Sequence, residues 1–182
     1  TRRLGAILDS FMKFARPGAL RLHAVDTKQL LSHIMALLQY EAQDHRIQLD
    51  CTTSEPLPAI MGDETEISQV LVNVIVNAYQ AMPEGGTCRV MARGSHADGK
   101  DWVELTVQDS GVGIEQEALP RLFEPFYTTR AAGSGLGLAI AYRIVQDHGG
   151  TIRVSSTPGN GTTVVIRFPA VPVAQDALVR DR

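Results

Sequence analysis

Residues 102–113 read WVELTVQDSGVG, in which an alternating segment is followed by a carboxylate and two glycines. Apolar Val103, Leu105 and Val107 alternate with polar residues, and this period of two predicts a half-buried β-strand. The strand leads directly into Asp109 and the glycine pair, where the backbone can approach a ligand because no Cβ stands in the way. We therefore expect a binding site at the carboxyl end of this strand.

A second glycine loop, GSGLGL at residues 133–138, follows a long irregular segment and opens a helix that we expect to reach His148. The first N–H groups of a helix lack partners within the helix and suit a phosphate group. No glycine is followed by Lys-Ser or Lys-Thr, as a Walker loop requires, and the first glycine pair lacks the G-x-G-x-x-G spacing of a dinucleotide fingerprint. On the glycines alone, two ordinary turns remain an alternative.

A polar stripe runs along the helix that we predict to begin at Asp63. Gln69, Asn73 and Asn77 are four residues apart and therefore stack on one face. Asn is a poor residue for a helix interior because its amide competes for backbone hydrogen bonds, so two stacked Asn residues indicate a functional role. An Asn carbonyl oxygen is a hard ligand suited to Mg²⁺. An ordinary solvated face is the alternative.

Composition sets the broad class of the protein. The chain has 182 residues, of which 44% are hydrophobic, and a net charge of -3, which is typical of a single α/β domain with a real core. This charge gives no reason to expect a surface for nucleic acid or for an anionic membrane. No apolar run approaches the ~20 residues that span a bilayer. Cys51 and Cys88 fit reduced thiols, so we expect this fragment to be cytoplasmic, whether or not a parent protein is membrane-anchored.

The order of the predicted elements indicates the fold class. Helices dominate the first half of the chain, and the later strands are predicted at 87–93, 102–108, 151–155 and 162–168. Helices followed by mostly antiparallel strands predict an α/β (α+β) two-layer sandwich, with helices on one face of a mixed, mostly antiparallel sheet.

Two amphipathic helices precede the one that begins at Asp63. Residues 4–15 form a short one, ended by a proline and a glycine, whose apolar stripe fits either a partner helix or its own domain. A second helix is capped by Asp26 and reaches about His45, and we expect its buried face to comprise Leu30, Leu31, Ile34, Leu37 and Leu38.

Taken together, these motifs resemble the ATP-binding catalytic domain of sensor histidine kinases, in the superfamily of gyrase, chaperone and mismatch-repair ATPases. The resemblance covers about residues 20–168 and implies a Bergerat-type ATP-binding fold. The run Asn-Ala-x-Gln-Ala-Met at 77–82 resembles the nitrogen-regulation type. The motifs are an N box at 69–78, a first glycine box at 109–113, an F box at 122–130, a second glycine box at 133–140 and a last hairpin at 159–163.

The resemblance implies roles for individual residues. Asp109 would accept a hydrogen bond from the adenine amino group, and Gly111 and Gly113 would let the ring come close. Asn77, helped by Asn73 as a catalytic residue, would hold Mg²⁺ between the phosphates. Further cofactor contacts are implied for Gln80, Ile114, Phe126, Thr128, Thr129, Ser134, Gly135, Leu136, Gly137, Leu138 and Thr163.

The segment 115–134 would be a mobile lid, since long irregular segments in compact domains often are. Arg130, in this lid, is a catalytic candidate that would reach the terminal phosphate of the bound ATP. Phosphoryl transfer would then rest on positioning and charge neutralisation, with little covalent work for the protein.

Three departures from the family pattern limit what the resemblance implies. Many relatives have a basic residue where this chain has Gln80. Hydrolytic relatives have a Glu in place of Gln69, and a neutral amide cannot take a proton from water, which disfavours efficient ATP hydrolysis. No histidine lies in the helical phosphoacceptor context; we take His33 and His45 as structural and expect His148 to be a helix end whose positive charge suits the dipole.

We therefore expect the catalytic fragment of a protein-histidine kinase. Its predicted divisions are 1–17 as the remnant of a phosphoacceptor hairpin, 18–170 as the ATP-binding domain and 171–182 as a flexible tail. The implied partners are ATP with Mg²⁺, a phosphoacceptor histidine domain in a homodimeric parent, and a response regulator receiver domain, with no nucleic acid and no membrane contact by this fragment. An ATPase of the same superfamily with nucleotide-driven dimerisation, a degenerate binding module and a protein-serine kinase are the alternatives.

Overall fold

The computed structural model describes residues 20–129 and 133–171. The predicted hairpin remnant, most of the predicted tail and Arg130 lie outside these ranges. The elements in chain order are β1 (His23–Val25), α1 (Thr27–Asp44), β2 (Ile47–Thr53), β3 (Ile60–Gly62), α2 (Glu64–Gln80), β4 (Gly86–Ala97), β5 (Lys100–Asp109), a 3₁₀ turn (Leu119–Arg121), α3 (Gly137–Asp147), β6 (Thr151–Ser156) and β7 (Thr162–Pro169).

Five strands form the main sheet, in the order β2-β4-β5-β7-β6. The β2–β4 pair is parallel, and the other three pairs are antiparallel. Strands β1 and β3 form a separate antiparallel ribbon. The predicted mixed, mostly antiparallel sheet is therefore confirmed.

One hydrophobic core lies between the helices and the sheet. The inward residues of β5, Val103, Leu105 and Val107, are buried as their alternation predicts, and they belong to the same cluster as the buried faces of all three helices. Burying a side chain of this size contributes about 1.5–3 kcal/mol each, so this shared core holds the two layers together. The predicted two-layer α/β sandwich is confirmed. Within the described residues, none of the helices has the length and apolar character needed to cross a membrane.

The predicted buried face of α1 is wrong at one position. Leu30, Leu31, Ile34 and Leu38 are buried, but the side chain of Leu37 is 68% exposed. At about 100° per residue, the buried positions of α1 span an arc bounded by Leu30 and Ala42, and Leu37 falls just outside it, beyond Leu30. The face that packs on the sheet continues instead through Ala42, which is fully buried.

The hairpin between β4 and β5 is tighter than predicted. The first of the two strands was predicted to end at residue 93, but β4 continues to Ala97, β5 begins at Lys100, and the tip consists of Asp98 and Gly99. Both tip residues have positive φ, 52° and 71°, as a two-residue type I′ turn requires. Asp-Gly is a common sequence for this turn, so the signal was present in the sequence.

Helix α2 begins as predicted, at an Asp63 cap. The Asp63 side chain accepts hydrogen bonds from the backbone N–H groups of Thr65 at 3.1 Å and Glu66 at 3.4 Å, and its other oxygen accepts one from Arg21 at 3.2 Å. Burial raises the pKa of the Asp63 carboxyl, but these N–H donors outweigh burial and the pKa is lowered.

His148 ends α3, as predicted, and its ring makes specific hydrogen bonds. The side chain is buried, and its Nε2 accepts a hydrogen bond from the Asp63 N–H at 3.0 Å. Because the Asp63 N–H can only donate, Nε2 is the acceptor in this hydrogen bond. Nδ1 of the same ring lies 2.8 Å from the Ile144 carbonyl oxygen, to which it donates its proton.

Candidate functional site

A cleft of about 800 Å³ opens between α2, the start of α3, the end of β5 and the loops that follow β5. It is the place where the two glycine loops and the polar stripe meet. Most of the predicted site residues line it, namely Asn73, Asn77, Gln80, Asp109, Gly113, Ile114, Thr128, Thr129, Ser134, Gly135, Gly137 and Leu138.

The polar stripe of α2 forms one wall of the cleft. Gln69 Nε2 donates to Asn73 Oδ1 at 2.9 Å, and Asn73 Nδ2 donates to the Gly137 carbonyl oxygen at 3.0 Å. The Asn73 amide therefore ties α2 to the start of α3. A Cβ on Gly137 would lie 3.7 Å from Asn77 Nδ2, so Asn77 also lies beside the first turn of α3. Both Asn side chains are half-buried, which removes the alternative of a solvated helix face.

The carboxylate at the end of β5 forms the opposite wall. Asp109 is 7% exposed, and its Oδ1 accepts hydrogen bonds from the N–H groups of Gly111 at 2.8 Å and Thr162 at 3.2 Å. Two backbone donors on one oxygen fix the orientation of the carboxylate. Asp109 is therefore a rigid acceptor in a part of the cleft that also has apolar walls, including Val107 and Val164.

Thr162 was missed by the sequence analysis, which named Thr163 instead. Thr162 is buried and lines the cleft, whereas Thr163 does not. Alternate residues of a strand face opposite sides, and Val164 and Ile166 are buried on the inner face. The same alternation in the sequence would have placed Thr162, rather than its neighbour, on the side of the cleft.

The first glycine box is shaped by contacts within the chain. A Cβ on Gly111 would lie 2.4 Å from the Ala81 carbonyl oxygen, and one on Gly113, whose φ is 73°, would lie 2.2 Å from the Thr157 carbonyl oxygen. Both glycines are needed because two other segments of the backbone approach so closely. This is a different reason from the predicted close approach of a ligand ring, and Gly111 itself does not line the cleft.

The predicted lid is attached to the second glycine box. The Phe126 N–H donates to the Gly135 carbonyl oxygen at 2.9 Å, and both residues have positive φ, 66° and 67°. A non-glycine residue in this region is strained, which indicates that the surrounding contacts hold it there. Nearby, the ring of Phe123 packs on that of Tyr142 of α3 at 4.9 Å, so the described part of the lid rests on α3.

Two further predicted residues, Phe126 and Leu136, do not line the cleft, and Arg130 lies outside the described ranges. The side chain of Phe126 is 59% exposed, and Leu136 is 1% exposed with its side chain in the core. Leu136 precedes the first residue of α3, and its N–H donates to Ser134 Oγ at 3.4 Å. Three glycines of this loop, Gly133, Gly135 and Gly137, line the cleft and have no side chain.

The charge of the cleft is unusual for an anion site. Among the described lining residues, Asp109 and Glu115 are acidic and none is Lys or Arg. No group of three or more His, Cys, Asp or Glu residues within the described ranges could hold a metal ion by itself. An anion in this cleft would therefore rely on the positive end of the α3 dipole and on a cation that arrives with it.

Comparison with known families places these features in context. The family described as histidine kinase-, DNA gyrase B-, and HSP90-like ATPase matches residues 62–172. The match spans α2, both glycine boxes and β7, and therefore includes every described wall of the cleft.

Individual relatives point in the same direction. Sensor histidine kinase ZraS of Escherichia coli (strain K12) is 39% identical over 167 residues, which cover 92% of this chain and 35% of that protein. The structure of full-length ShkA in complex with AMPPNP is similar with a TM-score of 0.78 and 30% identity, covering 92% of this chain and 36% of that one. The structure of histidine kinase ThkA in complex with the response regulator protein TrrA is similar with a TM-score of 0.78 and 26% identity, covering 94% and 48%. The chain thus spans about a third of the length of the curated relative and about half or less of these solved chains.

Proposed function

The chain belongs to the family of histidine kinase-, DNA gyrase B- and HSP90-like ATPases, and we propose that its cleft binds Mg-ATP and presents the γ-phosphoryl group to a histidine outside this chain. One observation carries the proposal: Asn73 and Asn77 lie against the first turn of α3, and Asp109 stands in the same cleft. A site for phosphates and metal and a site for a purine therefore share one cavity. We also infer that residues 18–170 form the ATP-binding domain, with 1–17 derived from a phosphoacceptor hairpin and 171–182 as a tail.

The adenine end of the proposed site is the Asp109 carboxylate. Its Oδ1 is engaged by two backbone N–H groups, and its environment is apolar, which suits a flat ring with one exocyclic amino donor. Thr162 lies beside it and is the second polar group at this end. The adenine amino group would supply the donor that this carboxylate can accept.

The phosphate end is the start of α3 together with Asn77. The residues present fit a hydrated Mg²⁺, because an amide oxygen is a suitable ligand and this ion takes most of its remaining ligands from water and phosphates. When bound, Mg²⁺ would neutralise phosphate charge that no described lysine or arginine of the cleft neutralises. Asn77 would hold the ion, and the N–H groups of the α3 first turn would bind phosphate oxygens.

Phosphoryl transfer at this site would depend on positioning. Asn73, which joins α2 to α3, would orient the two walls, and Arg130 is our candidate to contact the terminal phosphate. Gln69 is neutral and donates its amide hydrogen to Asn73, so it offers no base for an attacking water. This supports transfer to a protein acceptor over steady hydrolysis.

The acceptor would come from another segment or chain. All five histidines lie in the described ranges, and none lines the cleft. His148 is buried at the C-terminal end of α3, and His96 is paired with Asp101 at the hairpin. We therefore propose a phosphoacceptor histidine domain in a homodimeric parent and, downstream, the receiver domain of a response regulator. Incubation with γ-labelled ATP should leave this chain unlabelled, and label on any of its histidines would contradict the proposal.

Calorimetric titration with Mg-AMPPNP tests the binding site. Asn77→Ala and Asp109→Ala should each weaken binding by about tenfold or more, as expected for the loss of a buried charge-assisted contact. Gln108→Ala is the matched control for Asp109, because Gln108 precedes it on the exposed face, and Asn160→Ala in an exposed turn is the control for Asn77. Unchanged affinity in both site variants would end the proposal.

A further inference from the structure

Two polar contacts join α2 to α3, one at each end of the helix pair. At the cleft, Asn73 Nδ2 donates to the Gly137 carbonyl oxygen at 3.0 Å. At the far end, the Asp63 N–H donates to His148 Nε2 at 3.0 Å. At 1.5 Å per residue, the spans between the contacts, 63–73 on α2 and 137–148 on α3, are each about 15–17 Å long. The two helices are therefore antiparallel, and the two contacts are separated by nearly the same length along each helix.

The contact at the far end is rigid. His148 is 6% exposed, and its two ring nitrogens have backbone partners of opposite kinds, an obligate donor at Asp63 and an obligate acceptor at Ile144. These partners fix both the tautomer and the ring orientation. Phe168 packs edge-on against the ring at 5.8 Å between centroids. A Cβ on Gly62 would lie 2.5 Å from Ile67 Cδ1 and 2.9 Å from His148 Cδ2, so the absence of a side chain at Gly62 makes room for both side chains.

Losing the acceptor at His148 would have a consequence at the cleft. The Asp63 N–H would be left without its partner. Of the two polar contacts between α2 and α3, only the one at Asn73 would remain. The apolar packing of α3 in the core would remain, but it is not directional, so α3 could tilt about the Asn73 contact and change how its first turn faces Asn77. The adenine end, at Asp109, lies on β5 and is held by backbone donors outside the helix pair.

We infer that His148 is a positioning residue for the phosphate end of the nucleotide site, acting through the α2–α3 pair. The inference rests on the proposed function, because it assigns a distant determinant to the same site. Its specific consequence is a split: affinity for a triphosphate depends on the His148 acceptor, whereas affinity for adenosine alone does not.

Two substitutions separate the acceptor from the rest of the ring. In His148→Gln, the longer side chain places an amide oxygen near the Nε2 position, where it can still accept from the Asp63 N–H. In His148→Asn, the shorter amide can replace the Nδ1 donor but does not reach Asp63. The full chain and both variants would be titrated with Mg-AMPPNP by calorimetry and with adenosine by NMR, and thermal unfolding would be followed in parallel.

We expect His148→Asn to weaken Mg-AMPPNP binding about five- to tenfold, the size of one lost hydrogen bond, with adenosine affinity within about twofold of wild type. His148→Gln should restore most of the triphosphate affinity. Gly62→Ala, whose Cβ would press on Ile67 of α2 as well as on the His148 ring, should give the same split, and it serves if His148→Asn does not fold.

Other results would overturn the inference. A lower melting temperature with both affinities unchanged would make His148 a structural residue only. Equal losses for the two ligands would point to general distortion of the domain. A wild-type chain that binds neither ligand would refute the proposed function and this inference together, whereas wild-type binding with no split in the variants would refute the inference alone.

Discussion

At the level of single side chains, β5 carries two carboxylates that have opposite surroundings. Glu104 and Asp109 are five residues apart, an odd number, so they point to opposite faces of the sheet. Asp109 is held by backbone N–H groups in the cleft, whereas Glu104 is 4% exposed and bonded by Arg167 at 2.7 Å and Arg93 at 2.8 Å. The sequence predicts the alternation, but the pairing of Glu104 depends on the register of three strands, which is not a local property.

Glu104 should make stability depend on pH. Burial raises the pKa of its carboxyl, but hydrogen bonds from Arg167 and Arg93 outweigh burial and lower it. With the folded pKa below the unfolded value of about 4.3, the stabilisation is full above that pH and is lost as the pH falls through the folded pKa. Chemical denaturation should show Glu104→Gln less stable by about 1–2 kcal/mol at pH 7, with the difference shrinking in acid. Glu84→Gln in an exposed turn is the control, and a difference that grows in acid would contradict this assignment.

At the level of elements, neighbouring residues with the same chemistry have different roles, and the direction of the side chain decides between them. Leu37 and Leu38 on α1, and Thr162 and Thr163 on β7, are the two examples. In both cases the residue type was predicted correctly and the face was not. The periodicity of a helix or strand gives only the relative directions of its side chains. At least one residue known to be buried is needed to decide which face points inward.

Leucines 37 and 38 provide a matched pair for α1. Leu38→Ala should destabilise the domain by about 2–4 kcal/mol, because it removes a side chain that is 3% exposed and leaves a cavity. Leu37→Ala should stay within about 0.5 kcal/mol of wild type, because the same side chain is largely in solvent. Urea unfolding of the two variants gives the comparison. Similar losses of unfolding free energy in both would mean that α1 is rotated about its axis relative to the structure described here.

Two glycines with the same φ separate backbone strain from steric contact. Gly135 and Gly149 both have φ 67°, but a Cβ on Gly135 would lie 2.4 Å from the Phe126 carbonyl carbon, and one on Gly149 would meet nothing within 4 Å. Gly149→Ala should cost about 1–2 kcal/mol of stability through strain alone. Gly135→Ala should cost more and should also weaken Mg-AMPPNP binding, because it displaces the lid residue that bonds to Gly135. Calorimetry and unfolding would check both, and normal binding by Gly135→Ala would contradict a coupling of these loops.

At the level of the whole molecule, a single hydrophobic cluster joins both layers of the described structure. Such a domain should unfold in one cooperative transition. Binding of Mg-AMPPNP at 100 times its dissociation constant should stabilise the folded state by about 2.7 kcal/mol, which corresponds to a rise of about 5–10 °C in melting temperature. Differential scanning calorimetry measures both effects. Two separate transitions, or a shift as large with AMPPNP in EDTA as with Mg²⁺, would contradict the assignment.

Periodicity and motif spacing predicted the layers, the mixed sheet and the meeting of two glycine loops with an amide stripe. The acceptor role of His148 Nε2 could not be predicted, because its partner at Asp63 is 85 residues away in sequence. The reason for Gly111 and Gly113 was also out of reach, because the segments that approach them come from other parts of the chain. Local patterns therefore located the cleft, and non-local contacts determined which groups shape it.

The Asp98–Gly99 turn is a suitable site for attaching a label to the molecule. A side chain added at Gly99 would enter open solvent, and the turn stands nine residues of β5 away from Asp109, about 30 Å at strand spacing. A fluorophore or affinity tag attached at this tip would report on the domain without intruding on the nucleotide.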